Sequence, residues 1–217
     1  MNVSSFDTGK LSIVNLSDNP EVHVNKCSVR YNRARSLLIS TLAPVIIENS
    51  YFSSMMAGIR ICGDANYWFE SGPVGHVIIR NNTFDDLGIG GHSPQAILQI
   101  DPVIPLEARD KAFYHGTIDF ENNVVRTFDA QIIYALSVNN LIIRNNKFIQ
   151  TKRYQPLFSD LSIIDVQNCG NLLIENNDYS LWKDNSTISI KKCKSPVIRG
   201  EKSLPVVVNP NRYFYQN

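Results

Sequence analysis

An eight-residue string returns along this chain with its chemistry intact. It reads VIIENSYF at Val45–Phe52, VIIRNNTF at Val77–Phe84, IDFENNVV at Ile118–Val125, LIIRNNKF at Leu141–Phe148 and LLIENNDY at Leu172–Tyr179. A weaker copy, VHVNKCSV, occupies Val22–Val29, and PVIRG at Pro196–Gly200 reads as a last one. Where nothing is inserted, neighbouring copies stand about 23 residues apart, too few for a domain, so each unit buries its apolar side by stacking on the next.

The columns of the repeat say which way each residue points. Positions one and three are apolar in the five full copies (Val45 and Ile47 through Leu172 and Ile174), whereas position four runs Glu48, Arg80, Glu121, Arg144, Glu175, Arg199. Side chains of a strand alternate between faces, so the first set points inward and the charged set outward. Acids beside bases on neighbouring parallel strands contribute only about 0.2–1 kcal/mol each, but a slip in register brings like charges together. Position five is Asn49, Asn81, Asn122, Asn145 and Asn176, and position six is Asn in four of those copies. Asparagine tolerates left-handed turns, and stacked amides can satisfy one another. Position eight (Val29, Phe52, Phe84, Val125, Phe148, Tyr179) reads as an internal stack.

A second strand recurs between copies: Leu37–Ile39, Ile59–Ile61, Leu98–Ile100, Ile133–Ala135, Ile164–Val166 and Ile188–Ile190, with Leu11–Ile13 in the same column. A third strand is expected around position eight. Short β units without a helical period predict an all-β chain, a right-handed parallel β-helix of about seven coils of about 23 residues, roughly 34 Å long. One domain spans residues 1–217 in this reading, with inserted loops at 62–75, 88–115 and 151–161. The closing LPVVVNPNRYFYQN is expected to cap the last coil.

Composition narrows the function. With 21 Lys and Arg against 20 Asp and Glu, the net charge of +1 gives no electrostatic reason to expect nucleic acid or an anionic membrane. No apolar run reaches membrane-spanning length. The opening MNVSSFDTGK lacks the apolar core of a signal peptide, so the chain reads as intracellular or as a piece of a longer protein, with self-association at an open end as a further expectation. Cys27, Cys62, Cys169 and Cys193 show no metal-ligand spacing, and neither a metal nor a cofactor is expected. Cys169 and Cys193 should stack on neighbouring coils, as buried thiols or as a disulfide.

The first insertion, CGDANYWFESGPVG, combines Asp64, Asn66 and Glu70 with Tyr67, Trp68 and Phe69. An indole covering the C–H face of a sugar while acids accept its hydroxyls is one reading; aromatics closing over the coil below is the other. The second insertion carries Asp101, Glu107, Arg109, Asp110 and His115, and Asp85-Asp86 just before it reads as turn chemistry rather than a catalytic dyad. His92 and His115 read as surface or hydrogen-bonded side chains. The third, TKRYQPLFSDL, folds over the same face or simply packs. On the second strand, Arg60, Gln99, Tyr134 and Asp165 share an outward column, with Asp101 two residues further on, and these polar groups suit an extended carbohydrate. Carboxylates one coil apart stand at about 5 Å and two coils apart at roughly 9.6 Å, near the retaining and inverting glycosidase spacings, and the sequence offers candidates for both.

The strings RARSLLIST (Arg33–Thr41), VIIENSYF, GDANYWFESGPV (Gly63–Val74) and HVIIRNNTF (His76–Phe84) resemble glycoside hydrolase family 110, and the resemblance covers Val22 to Tyr179. It implies a right-handed β-helix, an inverting α-1,3-galactosidase acting on terminal α-galactose, and a secreted or periplasmic parent. By motif it implies Asp64, Trp68 and Glu70 as sugar-contacting residues. The adjacent Asp pair followed by Asn-Val-His that the family carries in earlier coils does not occur here, so the chain resembles the C-terminal half of such an enzyme. The catalytic residues stay open, with Asp64, Glu70 and Asp101 as candidates and Arg60, Gln99 and Tyr134 as further binding residues. A non-catalytic carbohydrate-binding or adhesin-like solenoid and a polysaccharide lyase are the alternatives.

Overall fold

Apolar residues at every second position, punctuated by asparagine, dictate short extended segments joined by sharp corners. The computed structural model describes residues 15–64, 68, 72–93, 95–109, 111–129, 131–158, 161–182, 186–201 and 206–209. In chain order the strands are β1 (Val22–Asn25), β2 (Ser28–Asn32), β3 (Leu37–Ile39), β4 (Val45–Glu48), β5 (Tyr51–Ser54), β6 (Ile59–Ile61), β7 (His76–Arg80), β8 (Thr83–Asp85) and β9 (Leu98–Ile100). They continue as β10 (His115–Glu121), β11 (Val124–Thr127), β12 (Ile133–Arg144), β13 (Lys147–Gln150), β14 (Ile164–Glu175), β15 (Asp178–Leu181), β16 (Ile188–Lys191), β17 (Ser195–Arg199) and β18 (Val206–Asn209). The chain is all-β: among the described residues there is no α-helix, and the strand pairings are parallel.

Three ladders result, in the registers that the repeat columns demand. Val22, Val45, Val77, Ile118, Leu141, Leu172 and Pro196 stand side by side on successive rungs. Leu37, Ile59, Leu98, Ile133, Ile164, Ile188 and Val206 form the second ladder. Val29, Phe52, Phe84, Val125 and Phe148 lead the third, a separate six-stranded sheet. In β12 and β14 the first two ladders fuse into 12-residue strands, bent where Ser137 (φ 62) and Asn168 (φ 52) turn left-handed. Leu11–Ile13 lies outside the described residues. The expected cap at the lower end is corrected in part: Val206–Asn209 is one more rung, because three β-branched valines favour an extended backbone that pairs in register with β16. The aromatics after it lie outside the described residues.

The inward columns make the core. Val45, Ile47, Val77, Ile79, Ile118, Phe120, Leu141 and Ile143 are fully buried, as are Phe52, Phe84, Val125 and Phe148. Phe52 stacks on Phe84 at 5.2 Å between ring centroids, and Phe148 meets a tilted Tyr179 ring at 5.1 Å. Outside, the charged column closes into ion pairs: Glu48 with Arg80 at 2.8 Å, Glu121 with Arg144 at 2.6 Å and Glu175 with Arg199 at 2.7 Å.

The asparagines divide two tasks between them. Asn49, Asn81, Asn122, Asn145 and Asn176 take φ between 52° and 56°, the left-handed geometry that asparagine tolerates best after glycine. Their neighbours Asn82, Asn123, Asn146 and Asn177 point inward and are buried. The Asn123 side-chain oxygen accepts the backbone and amide N–H groups of Asn82, while its own amide donates to the Ile79 carbonyl and to Asn146. Asn146 repeats this with Asn177. In the last copy Gly200 (φ 75) stands at position five and Glu201 at position six. The Glu201 carboxylate accepts the two Asn177 N–H groups at 3.0 Å, in place of a further amide.

The loops fold back onto this frame. The third insertion packs on the side: Thr151 donates to Asp86, the Arg153 guanidinium lies 2.8 Å from the same carboxylate, and the Leu157 N–H donates to Asp129. The second crosses the fused strands. Val103 N–H donates to the Gly63 carbonyl, Tyr114 N–H to the Ser137 carbonyl, and the Asn168 amide to the Arg109 and Ala112 carbonyls.

Candidate functional site

The second ladder carries the polar column read from the sequence. Leu38, Arg60, Gln99, Tyr134, Asp165 and Ser189 stand on successive rungs in register. Arg60 reaches one rung down and donates twice, at 2.8 Å each, to the Asp101 carboxylate, and the Gln99 amide adds a third bond at 2.9 Å. Burial pushes the Asp101 carboxyl above its ordinary range, against the opposing pull of the Arg60 guanidinium and the Gln99 amide. Lower down the arrangement is mirrored. Lys191 donates to both Asp165 oxygens at 3.0 Å, joined by the Gln167 amide at 3.3 Å. Between the two ion pairs lies the rung of Tyr134, half-buried.

Magnitudes decide what these two carboxylates can do. Asp101 and Asp165 stand two rungs apart and two residues out of line, so their backbones are roughly 12 Å apart. Their partners Arg60 and Lys191 stand on the far sides, which draws the carboxylates away from the ~6.5–9.5 Å spacing of an inverting acid and base. Each is also neutralised by a base one rung away. In this column Arg60, Tyr134 and Asp165 are partly exposed and Gln99 and Ser189 are buried, a rigid hydrogen-bonded polar face rather than a pair poised for proton transfer. Arg60 and Lys191 are equally committed to their carboxylates, which leaves little cationic character for an acidic sugar. The column two residues on is not an open face: Cys62, Leu136, Gln167 and Lys191 are buried.

Asp64 follows β6 and is 5% exposed, while Trp68, four residues on, is 68% exposed. Glu70, like Asn66, Tyr67 and Phe69, lies outside the described residues. Sequence reasoning passed over Tyr114, which the second insertion brings to this place. A methyl group on Gly63 would sit 2.1 Å from the Tyr114 hydroxyl, so the absent side chain is what lets the phenol settle there. Burial pushes the Tyr114 phenol up, and the neighbouring Cys62 and Asp64 push it in the same direction. No sequence column signals this contact, because it occurs once. Asp85 and Asp86 are tied to neighbouring coils rather than lying in a solvated turn: Asp85 ends β8, accepts from the Tyr51 hydroxyl and pairs with Arg126, and buried Asp86 holds the third insertion.

The histidines do not gather. His92 is exposed, His23 pairs with Glu48 and His76 with Asp119. His115 is buried, its Nδ1 accepting the Val74 N–H at 3.3 Å, and burial lowers its pKa to about 3. Among the described residues no three His, Cys, Asp or Glu side chains converge as a metal site, and no helix is long and apolar enough to cross a membrane.

No protein-family profile matches the chain. Among curated proteins it is 36% identical to α-1,3-galactosidase B of Bacteroides thetaiotaomicron, over 88% of this chain and 31% of that enzyme. It is 32% identical to α-1,3-galactosidase A of Bacteroides fragilis, over 81% of this chain and 29% of the enzyme. It is 38% identical to an α-1,3-galactosidase B of Phocaeicola vulgatus, over 75% of this chain and 28% of the enzyme. The chain thus spans less than a third of the length of these relatives.

Proposed function

Starting from its relationship to the α-1,3-galactosidases, we propose that this chain is the substrate-holding part of a glycoside hydrolase that removes terminal α-galactose. The observation that carries this is the 36% identity extending over 88% of the chain. The ladders are read as one right-handed parallel β-helix of about seven coils over residues 1–217, with the three insertions as its loops. Trp68 lies against the apolar face of the sugar, Asp64 and Glu70 accept its hydroxyls, and Arg60 and Tyr134 line the surface below, with Gln99 buried behind them and bonded to Asp101. The engaged state of Asp101 supports a holding role for it, and the acid and base are assigned to coils of a longer polypeptide. That parent acts outside the cytoplasm, with inversion at the anomeric carbon.

Calorimetric titration with methyl α-galactoside tests the proposal. Wild-type protein binds, and the double substitution Asp64→Asn, Glu70→Gln weakens binding about tenfold or more, the loss expected when hydrogen bonds to charged groups go. Unchanged affinity would remove both residues from the site. Robust hydrolysis by these 217 residues, abolished by Asp85→Asn, would overturn the assignment of catalysis elsewhere. A non-catalytic carbohydrate-binding solenoid is the second reading, favoured by the neutralised carboxylates. It differs in that a longer polypeptide containing this chain would still bind without turnover.

A further inference from the structure

The registers of the lower rungs set two thiols against each other. Asn171 stands opposite Ser195, which places Cys169 opposite Cys193 on the next rung, and the Lys194 N–H donates to the Cys169 carbonyl at 2.9 Å. Both cysteines are free, Cys169 fully buried and Cys193 half-buried. Each thiol leans toward the carbonyl two residues before it, Gln167 for Cys169 and Lys191 for Cys193. Registered parallel neighbours stand about 4.8 Å apart at Cα, inside the ~4.4–6.8 Å window for a disulfide. Their Cβ atoms, carried on parallel bonds, stand a few tenths of an ångström beyond the usual disulfide range, a gap that a backbone shift of the same size closes while χ1 rotation brings the sulfurs together.

We propose that Cys169 and Cys193 form an oxidisable dithiol at which a small-molecule disulfide cross-links one rung to the next. The half-buried thiol is the one an oxidant reaches. Contact with Cys169 lowers the Cys193 pKa, the direction that favours an attacking thiolate, whereas burial raises that of Cys169. The Cys193 thiolate attacks one sulfur of the small disulfide, forming a mixed disulfide and releasing one small thiolate. Cys169 then gives up its proton and attacks the Cys193 sulfur, forming the protein disulfide and releasing the second small thiolate. Two protein thiols are oxidised and one disulfide is reduced to two thiols, with the protons carried away on the products.

The position gives the cross-link a consequence. Lys194, next in sequence, holds its ammonium 4.7 Å from the centre of the Phe113 ring, and Phe113 precedes Tyr114, the residue beside Asp64. Oxidation therefore fixes the rung on which the second insertion rests.

Treating the folded 217-residue chain with oxidised glutathione, then mapping peptides without reduction, tests this. The expected result is a Cys169 peptide joined to a Cys193 peptide, with two titratable thiols lost in addition to the exposed Cys27, all restored by dithiothreitol. In Cys169→Ser, glutathione stays attached to Cys193. Wild-type protein that keeps glutathione on Cys193 without resolving it would overturn the proposal. So would free Cys169 and Cys193 after Cys27 has reacted to completion. Neither readout depends on sugar binding.

Discussion

Asn123→Ala is expected to destabilise the protein by about 3–5 kcal/mol, the sum of several buried polar groups losing partners. Asn123 is 1% exposed and sits mid-ladder. Its side chain accepts two N–H groups from Asn82 and donates to the Ile79 carbonyl and to Asn146. Alanine leaves those N–H groups and that carbonyl dry and unpaired between neighbouring rungs. Each orphaned group costs about 1–3 kcal/mol, and partial collapse of the rung recovers some of it. Asn122→Ala, one residue earlier, should cost less, because it loses a left-handed preference rather than a network. Urea unfolding of both variants checks the order. A smaller loss at Asn123 than at Asn122 would mean that the amide ladder is not what holds the corners together.

Acidification provides the second large effect. Buried His115 has its folded-state pKa lowered to about 3 from an unfolded value of 6.5. Between those values the unfolded chain binds a proton that the folded chain refuses. Stability from this group is therefore complete above about pH 6.5 and is lost as pH falls toward 3, at up to about 1.4 kcal/mol per unit and roughly 4–5 kcal/mol in all. Asp101 works the other way over the lower part of that window. Its raised carboxyl pKa means that the folded state takes up a proton more readily than the unfolded one, so acid favours folding through this group. In His115→Phe the loss between pH 6 and 4 should largely vanish. The variant starts from a lower plateau, since the Val74 N–H loses its acceptor. Denaturation midpoints across pH 3–8 test this, and an unchanged acid slope in the variant would assign the effect to other groups.

What the sequence disclosed was whatever repeats. Glu48, Arg80, Glu121, Arg144, Glu175 and Arg199 could be placed side by side because six copies carry the same position, and the same holds for the Asn and Phe columns. The left-handed corner was legible through asparagine, and the first copy puts Lys26 (φ 55) there instead, showing that geometry is imposed by the stack rather than by residue type. Contacts made once had no column to betray them. Tyr114 over Gly63, Lys194 over Phe113 and the anchoring of the third insertion on Asp86 each depend on where a loop lands. The site was legible in the same uneven way. Arg60, Gln99, Tyr134 and Asp165 share a column, and register follows from hydrophobic pattern. That Arg60 and Lys191 neutralise Asp101 and Asp165 follows from side-chain reach across a rung, which the pattern leaves open.

The central claim is that α-galactose rests against Trp68 above the Arg60–Gln99–Tyr134 column. Titrating isotope-labelled protein with methyl α-galactoside while following the Trp68 indole N–H and the amides of those three residues by NMR tests it most directly. Saturable shifts concentrated on these signals are the predicted result. Shifts confined to another face, or none at saturating sugar, would contradict it.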